Sequence, residues 1–423
     1  MRPQTTAEKL ISAHAGRAVY AGDLAVVRVD GVMATDATGP FAIQAFREMG
    51  GQRVWDPQRV ALVLDHAAPA PNERVANLHR MLRDFAREQG THFYDLGTGI
   101  CHQLMVENGH VRPGDLFLGA DSHTPTYGAL NAFAVGMGST DIAAAMLTGK
   151  TWLRVPETIR IVLRGQLQPG VSAKDLILAL VGRVGVSGAI YQTVEFTGEA
   201  VQPLTLASRM VLANMVAEMG AKAGLVDPAG LELPYAWSPT VGDDGARYAQ
   251  VIEADASTIE PMIALPHIPD QVVPLRQARG VKVQQAFIGS CTNARLEDLH
   301  AAAAVLRGRQ VAPGVRLLIA PASHRVYRQA LKDGTAQALA DAGAIFMSSG
   351  CGPCVGTHMG VPGDDENVIS STNRNFRGRM GNPNASIYLA SPAVVAASAV
   401  AGEIISPADL PANEPENPTE AAS

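Results

Sequence analysis

Short apolar runs typical of buried strands alternate with helix-like segments along most of this chain. Residues 60–64 (VALVL), 285–288 (QAFI) and 316–320 (RLLIA) are examples of such runs. Strands that alternate with helices predict βαβ units, in which helices cover both faces of a sheet. We therefore predict an α/β fold made of sheets flanked by helices.

The predicted elements are spread over both halves of the chain. We predict strands at 60–64, 115–120, 285–288, 316–320, 344–347 and 386–389, and helices at 128–149, 172–185, 204–220, 296–309, 323–332 and from 392 onward. Ser172 and Asp175 form a capping-box pattern, which indicates that a helix begins there. Ser391 supplies an N-cap before a first-turn proline.

The chain is long enough for several domains. Its 423 residues exceed the ~250–300 that one hydrophobic core usually accommodates. The strand–helix pattern pauses near Pro156 and between Pro266 and Pro274. We predict domains at 1–156, 157–268 and 269–406, and a disordered tail at 407–423, which is rich in proline and acidic residues.

Composition narrows the functional class. The formal net charge of −6 gives no reason to expect nucleic acid or an anionic membrane as a partner. The first residues lack the layout of a signal peptide, and no stretch reaches the ~20 apolar residues of a membrane helix. Four cysteines are too few for a disulfide scaffold and indicate a reducing cytoplasm, where clustered cysteines more often bind metal or take part in catalysis.

Three of the cysteines lie in two glycine-containing segments. Cys291 lies within GSCTN (289–293), and Cys351 and Cys354 form a C-x-x-C pair within GCGPC (350–354). Two of them follow predicted strands, so we expect them at the carboxyl edge of a sheet, where α/β proteins bind ligands. Glycine and proline allow the backbone to curl around a bulky inorganic group.

The cysteines alone are compatible with several kinds of metal or redox site. Soft thiolates favour zinc, Cu(I) or iron–sulfur clusters. A four-iron cluster normally takes four cysteines, so three would leave one iron open to a substrate. A structural zinc completed by a histidine and a redox C-x-x-C are the alternatives. The fourth cysteine, Cys101, is interpreted as a small buried hydrophobic residue rather than a ligand.

Polar side chains with acid–base or anion-binding chemistry accompany the cysteines. Asp65-His66, His102 and Asp121-Ser122-His123 occupy turn-like positions near predicted strands. A neighbouring aspartate orients a histidine and favours its protonated form, although any one histidine taken alone is more often structural. The segment TNRNFRGR (372–379) is dense in arginine, whose guanidinium can bind a carboxylate through two parallel hydrogen bonds; a solvated basic loop is the alternative.

Taken together, these motifs resemble the aconitase superfamily, and more narrowly the separate large subunits of the 3-isopropylmalate dehydratase and homoaconitase type. The resemblance rests on Asp-His, Cys-His-Gln, Asp-Ser-His-Thr, Cys-Thr-Asn and Gly-Cys-Gly-Pro-Cys in the family's order, and it runs from about Thr6 to Pro407. It implies a three-domain aconitase-like arrangement, with a cluster at the carboxyl ends of strands and without the family's swivelling domain.

The resemblance also implies a cofactor and a role for each site residue. One 4Fe–4S cluster per subunit would be held by Cys291, Cys351 and Cys354, and its open iron would stabilise a departing hydroxide. The implied catalytic residues are Asp65, His66, His102, Asp121, His123 and Glu218. The implied substrate-binding residues are Thr35, Ser122, Arg374 and Arg379, and the implied neighbours of the cluster are Asn214, Asn293 and Asn373. Thr35 departs from the family, which usually has an amide or imidazole there.

The function implied by the resemblance is that of a hydro-lyase. We expect it to interconvert 2-isopropylmalate and 3-isopropylmalate by dehydration and rehydration, as in leucine biosynthesis. In the family, a serine base lies on the swivelling domain, so we expect a separate small subunit as partner, together with a small hydroxy-acid substrate. The alternatives are a homoaconitase of lysine biosynthesis, another hydratase of small dicarboxylates, an iron–sulfur electron-transfer protein, an RNA-binding protein and a structural zinc protein.

Overall fold

A computed structural model of the chain describes residues 2–411. The strands are β1 (Leu24–Arg28), β2 (Gly31–Thr35), β3 (Val60–Val63), β4 (His92–Tyr94), β5 (Leu116–Gly119), β6 (Phe133–Gly136), β7 (Lys150–Arg154), β8 (Thr158–Arg164), β9 (Thr193–Thr197), β10 (Ala223–Val226), β11 (Gln250–Asp255), β12 (Met262–Ala264), β13 (Val272–Pro274), β14 (Gln285–Ile288), β15 (Arg316–Ile319), β16 (Ile345–Phe346), β17 (Asn367–Ser370) and β18 (Ser386–Leu389). The helices are α1 (Thr6–Ala15), α2 (Gly39–Glu48), α3 (Glu73–Gln89), α4 (Cys101–Glu107), α5 (Ser139–Thr148), α6 (Ala173–Val184), α7 (Leu206–Met215), α8 (Leu296–Leu306), α9 (His324–Lys332), α10 (Thr335–Asp341) and α11 (Pro392–Ala401).

These strands form three main sheets and one ribbon. The first sheet has the order β4-β3-β2-β5-β6, and the second has the order β10-β9-β8-β11; every pairing in both is parallel. The third sheet has the order β13-β12-β18-β17-β14-β15-β16 and is parallel except at β12. β1 and β7 pair antiparallel as a two-stranded ribbon. The predicted α/β class, with sheets flanked by helices, is confirmed.

The three sheets follow one another along the chain. The boundary predicted at 156/157 falls between β7 and β8. The boundary predicted at 268/269 falls inside the hairpin of β12 and β13, both of which belong to the third sheet, so that sheet begins at Met262. The division of the chain into three domains stays a prediction.

Local sequence explains the elements that were predicted well. All four residues of β3 and of β5 are buried, as expected of central strands covered on both faces. At the start of α6, the carboxylate of Asp175 accepts hydrogen bonds from the backbone N–H and the hydroxyl of Ser172 at 2.9 and 2.7 Å. At α11, Ser391 stands at the N-cap, although its side chain makes no capping hydrogen bond.

The single helix predicted at 128–149 is wrong. The segment contains the end of a 3-10 turn (Thr124–Leu130), then β6 and then α5. Asn131 ends the turn at a positive φ of 60°. Gly128 lies where two backbone segments approach closely, since a Cβ at this position would lie 1.5 Å from the carbonyl oxygen of Gly224. The helix predicted at 204–220 is shorter than expected, because α7 gives way to a 3-10 turn (Val216–Met219).

Two further expectations concern the tail and membranes. Of the tail predicted to be disordered at 407–423, the first residues form a 3-10 turn (Pro407–Asp409), and residues 412–423 lie outside the described residues. Between residues 2 and 411, no helix combines the length and the apolar character needed to cross a membrane.

Two adjacent residues of α6 tie the second sheet to the third. Lys174 is completely buried, and its Nζ donates to the carbonyl oxygens of Ser371 and Thr372 at 2.9 and 2.5 Å. Asp175 is also completely buried and accepts a hydrogen bond from the backbone N–H of Met262 at 3.0 Å. Because a neutral amine still has hydrogens for both carbonyls, this link does not require a charged lysine.

Replacement of Lys174 by methionine should change how stability depends on pH. Burial lowers the pKa of Lys174 from 10.5 to about 7. Between these two pKa values, Lys174 binds more protons in the unfolded chain than in the folded chain. The contribution of Lys174 to the free energy of unfolding therefore increases with pH. The stability of the wild type relative to Lys174→Met should therefore rise between pH ~7 and ~9, by at most ~1.4 kcal/mol per pH unit.

Urea unfolding of both proteins at several pH values measures this difference. The exposed Lys332→Met, in the last turn of α9, serves as control and should differ from the wild type by an amount that does not depend on pH. A pH-independent difference for Lys174→Met would contradict the prediction.

Candidate functional site

Most residues singled out from the sequence line or adjoin one small cavity where the first and third sheets meet. Its volume is about 80 Å³. It lies beyond the carboxyl ends of several parallel strands, the usual ligand position in α/β proteins. The lining residues are His66, Ile100, Cys101, His102, Asp121, Ser122, His123, Ser290, Cys291, Cys351, Cys354, Val355, Asn373, Arg374 and Arg379.

The three predicted ligand cysteines are brought together at this cavity by the first and third sheets. Cys291 follows β14, and Cys351 lies in the loop after β16, just before a 3-10 turn (Gly352–Val355) that contains Cys354. The backbone N–H of Cys351 donates to the carbonyl oxygen of Asp65 at 2.8 Å, which ties this loop to the end of β3.

Amide groups point at the sulfur of Cys291. Nδ2 of Asn214 and Nδ2 of Asn373 donate to this sulfur at 3.2 and 3.4 Å. Asn373 Nδ2 also lies 3.2 Å from Oδ1 of Asn214, so the two amides brace each other. Asn214 and Asn373 therefore contact a predicted ligand directly. Asn293 instead donates to Asp298 at 2.8 Å, and its buried Oδ1 has no partner among the described residues.

The other two cysteines have polar neighbours as well. Nη2 of Arg379 donates to the sulfur of Cys354 at 3.7 Å. The sulfur of Cys351 lies 3.9 Å from Nδ1 of His66 and 3.9 Å from Oδ2 of Asp65. Asp65, His66 and Cys351 thus offer three possible ligand atoms within 4.8 Å of one another.

The chemistry of these donors fits an iron–sulfur cluster. Burial raises the pKa of Cys291 to about 12, and it also raises that of Cys351. Thiolates at such buried positions need a compensating positive charge, which a soft metal centre provides. Hydrogen bonds from N–H groups to the sulfur atoms stabilise and tune such centres. A single metal ion on Asp65, His66 and Cys351 fits less well, because the carboxylate of Asp65 already bonds to His66 and to the backbone N–H of Cys101.

Cys101 also reaches the cavity wall. It is completely buried within the largest apolar cluster, and burial raises its pKa. Among residues 2–411, no N–H group donates to its sulfur, in contrast to Cys291 and Cys354. These surroundings agree with the interpretation of Cys101 as a buried hydrophobic residue.

His66 lies between two carboxylates. Its Nδ1 is 2.8 Å from Oδ1 of Asp65, and its Nε2 is 3.2 Å from Oδ2 of Asp121. Burial by itself would lower the pKa of His66, but negative charge at Cys351 and Asp65 and the two carboxylate hydrogen bonds raise it well above its usual value. This raised pKa favours the imidazolium form of His66, which is partly buried at the cavity wall and suits a proton donor.

The other two histidines extend this network of hydrogen bonds. Nε2 of His102 is 2.7 Å from Oδ1 of Asp121, and its Nδ1 is 3.0 Å from the hydroxyl of Tyr127. Nε2 of His123 is 2.8 Å from Oε1 of Glu218. Burial opposes ionisation of Asp121, but its histidine partners hold its pKa well below the usual value.

Arg374 connects Glu218 to Ser122 and so joins the same hydrogen-bond network. Its Nε donates to both carboxylate oxygens of Glu218 at 2.9 and 3.0 Å, and its Nη1 donates to Oγ of Ser122 at 2.9 Å. Although burial opposes it, the hydrogen bond from His123 and the charge of Arg374 lower the pKa of Glu218. Nη2 of Arg374 makes no hydrogen bond within residues 2–411 and is available to a ligand carboxylate.

Thr35, like Asn293, is a predicted site residue that does not line the cavity. It ends β2 and is completely buried, and its hydroxyl lies 3.2 Å from that of Thr38. The structure therefore gives no support to the prediction that Thr35 contacts substrate, because its short side chain is used locally.

Sequence reasoning missed three positioning residues: Asp36, Tyr127 and Lys174. The buried carboxylate of Asp36 accepts hydrogen bonds from the backbone N–H groups of Asp65, His66 and Ala67 at 3.0, 2.8 and 2.7 Å, and so shapes the turn after β3. The aspartate within the motif ATDAT (34–38) is a signal that could have indicated such a turn.

Known proteins resemble this chain along nearly its whole length. A sequence model of the aconitase family (aconitate hydratase) matches residues 8–238 and 231–402. The 3-isopropylmalate dehydratase large subunit 1 of Methanopyrus kandleri is 48% identical over 412 residues, which covers 96% of this chain and 99% of the relative. The corresponding large subunit of Moorella thermoacetica is 49% identical over 416 residues, with coverage of 96% and 99%.

A solved structure supports the same fold. The holo-form of Thermococcus kodakaraensis aconitase X superposes with a TM-score of 0.50 at 14% identity, covering 87% of this chain and 92% of that one. At this identity the likeness concerns the fold alone. The family resemblance inferred from the sequence motifs is confirmed by the family match and by the closely similar relatives: the chain belongs to the aconitase family.

Proposed function

We propose that this chain, together with a separate small subunit, interconverts 2-isopropylmalate and 3-isopropylmalate by dehydration and rehydration, a step of leucine biosynthesis. The observation that carries the proposal is the placement of three buried cysteines and a doubly carboxylate-bound histidine around one cavity. Family membership and the names of relatives that match nearly the whole chain support the same reaction.

The cofactor we propose is one 4Fe–4S cluster per chain, held by Cys291, Cys351 and Cys354. When bound, such a cluster supplies a Lewis-acidic iron that can accept a hydroxyl leaving from carbon. Asn214, Asn373 and the guanidinium of Arg379 would orient the sulfur ligands through the N–H groups that already point at them. Asn293 has its amide turned to Asp298, so we propose that it acts through the shape of the loop after Cys291.

The proton for the leaving hydroxyl would come from His66. Asp65 and Asp121 hold its ring on both nitrogens and stabilise the imidazolium. His102 fixes Asp121 from the opposite side, and its ring is in turn fixed by Tyr127. This arrangement orients a partly buried acid beside the cavity without using either carboxylate as the proton donor.

The carboxylates of the substrate would bind to arginine. Nη2 of Arg374 is available, and Ser122 beside it adds a hydroxyl donor. Arg379 is the second candidate, since its buried Nε has no partner among the described residues. We propose that Glu218, together with His123, holds Arg374 in place and faces the water formed on dehydration.

The proton on carbon would be removed by the small subunit. Hydrogen bonds from histidines to Asp121, and from His123 and Arg374 to Glu218, lower the pKa of both carboxyl groups, so neither is a good base. We propose that the small subunit carries the serine base on a swivelling domain. Relatives named as large subunits support a two-chain enzyme.

The proposal is tested by assaying the anaerobically purified chain with and without the small subunit of the same organism. We expect turnover of 2-isopropylmalate only when both chains are present, and lower kcat/KM for homocitrate and citraconate. Preference for homocitrate would refute the proposed substrate, and full activity of the single chain would refute the two-chain enzyme.

Replacing the ligand cysteines should remove the cluster. Cys291→Ser, Cys351→Ser and Cys354→Ser should each lose most of the iron and sulfide found in the wild type, because two remaining thiolates cannot hold the cube. Cys101→Ala is the matched control and should retain both elements. Iron and sulfide analysis of anaerobic protein measures this, and loss of the cluster in Cys101→Ala would assign a fourth ligand instead.

Replacing the proposed acid should impair chemistry but not assembly. His66→Gln should lower kcat by about 10²–10⁴-fold, the usual contribution of a positioned general acid. Its iron and sulfide content should equal that of the wild type, since His66 is not a proposed ligand. A kcat within about twofold of the wild type, with the cluster intact, would exclude His66 as the acid.

A further inference from the structure

The ribbon of β1 and β7 carries an apolar face that nothing in residues 2–411 covers. The side chains of Leu24, Val26 and Trp152 are 66%, 65% and 65% exposed. Val26 and Trp152 are directly opposite each other across the two strands, so their side chains lie side by side. The other face of the ribbon is buried through Ala25, Val27 and Leu153. The exposed face is therefore presented by a ribbon that the core holds in place.

Basic side chains flank this apolar centre. Arg28 is opposite Lys150 at one end of the ribbon, and Arg154 is opposite Leu24 at the other. All three are exposed, and none forms an ion pair with a carboxylate of the described residues. An apolar patch with an unneutralised basic rim is complementary to an apolar patch rimmed by carboxylates.

The ribbon face is continuous with the proposed active site. Trp152 lines a cavity of about 470 Å³ whose wall also includes Asp121 and Ser122, both of which line the cysteine cavity. Tyr191 and Lys222 form another part of the same wall. A body that covers the open side of the active site would therefore also meet the ribbon.

The neighbouring segment extends this surface. Ile190 is 64% exposed, and the ring of Tyr191 lies beneath two cations, 5.3 Å from the guanidinium of Arg154 and 5.4 Å from the amine of Lys222. These contacts hold an aromatic ring and two positive charges in one place. Ordered aromatic and cationic groups around an apolar centre are typical of protein interfaces.

We propose that the outer face of the β1–β7 ribbon is the docking surface for the separate small subunit, whose matching surface is apolar with an acidic rim. The inference rests on the proposed two-chain function. A second copy of this chain fits less well, because a two-fold interface would place the basic rims of both copies against each other. The small subunit must reach the cavity beside Ser122 and so approaches from the ribbon side.

Charged substitutions on the ribbon test the proposal. Val26→Glu should raise the Kd for the purified small subunit of the same organism at least ~10-fold, since a carboxylate would replace the apolar centre and face an acidic rim. At saturating small subunit, kcat and iron content should equal those of the wild type. Val251→Glu is the matched control on β11, where the valine is 55% exposed, and its Kd should be unchanged.

Two further variants guard against local misfolding. Trp152→Glu should weaken binding in the same way, and Lys150→Glu should weaken it with a smaller dependence on ionic strength, because one attractive charge is lost. Binding is measured by titration calorimetry at two salt concentrations, and folding by circular dichroism.

Two outcomes overturn the inference. One is that Val26→Glu and Trp152→Glu bind the small subunit as tightly as Val251→Glu does, while the mixture still converts 2-isopropylmalate. The other is that these variants change the self-association of the chain in ultracentrifugation without changing the Kd for the small subunit, which would assign the face to a second copy. Absence of both complex and activity in the wild-type mixture would instead refute the proposed function itself.

Discussion

A continuous run of hydrogen bonds, from Asp65 through His66 and Asp121 to His102, determines the shape of this site. Each member is buried or nearly so, and an isolated charge at such a position would be costly. Removing one partner would leave the next uncompensated, so the groups are held in place together. The two carboxylates raise the pKa of His66, the histidine nearest the cysteines, which favours the protonated form that we propose for the acid.

The same logic applies to the contacts that join the sheets. Lys174 binds the carbonyls of Ser371 and Thr372, directly before Asn373 and Arg374, which line the cavity. Asp36 likewise stabilises the turn after β3, because its carboxylate accepts hydrogen bonds from three backbone N–H groups. In both cases a buried polar side chain satisfies backbone groups that a loop would otherwise leave unpaired. The side chains that we propose to be catalytic are thus oriented by backbone that is itself fixed, although they lie on loops.

The site is assembled at a junction and stays open on one side. Cysteines and arginines come from the third sheet, histidines and aspartates from the first, and Glu218 and Asn214 from the second. The open side adjoins the ribbon with its exposed Trp152. This geometry suits the proposed two-chain enzyme, since a fully enclosed cavity would leave a group on another polypeptide no access.

Much of this could be predicted from the sequence, because the relevant signals are local. The four-residue buried strands, the capping box of Ser172 and Asp175, and the cysteine spacing each depend on neighbouring residues, and with the order of the motifs they were enough to identify the fold class and the family. What the local pattern could not decide was contact between distant segments. The run of small residues at 128–149 suited a helix, yet Gly128 is small because the backbone of Gly224 passes beside it. Thr35 was expected at the substrate but bonds to Thr38. The roles of Asp36 and Lys174 depend on partners up to 198 positions away, so only the tertiary structure could reveal them.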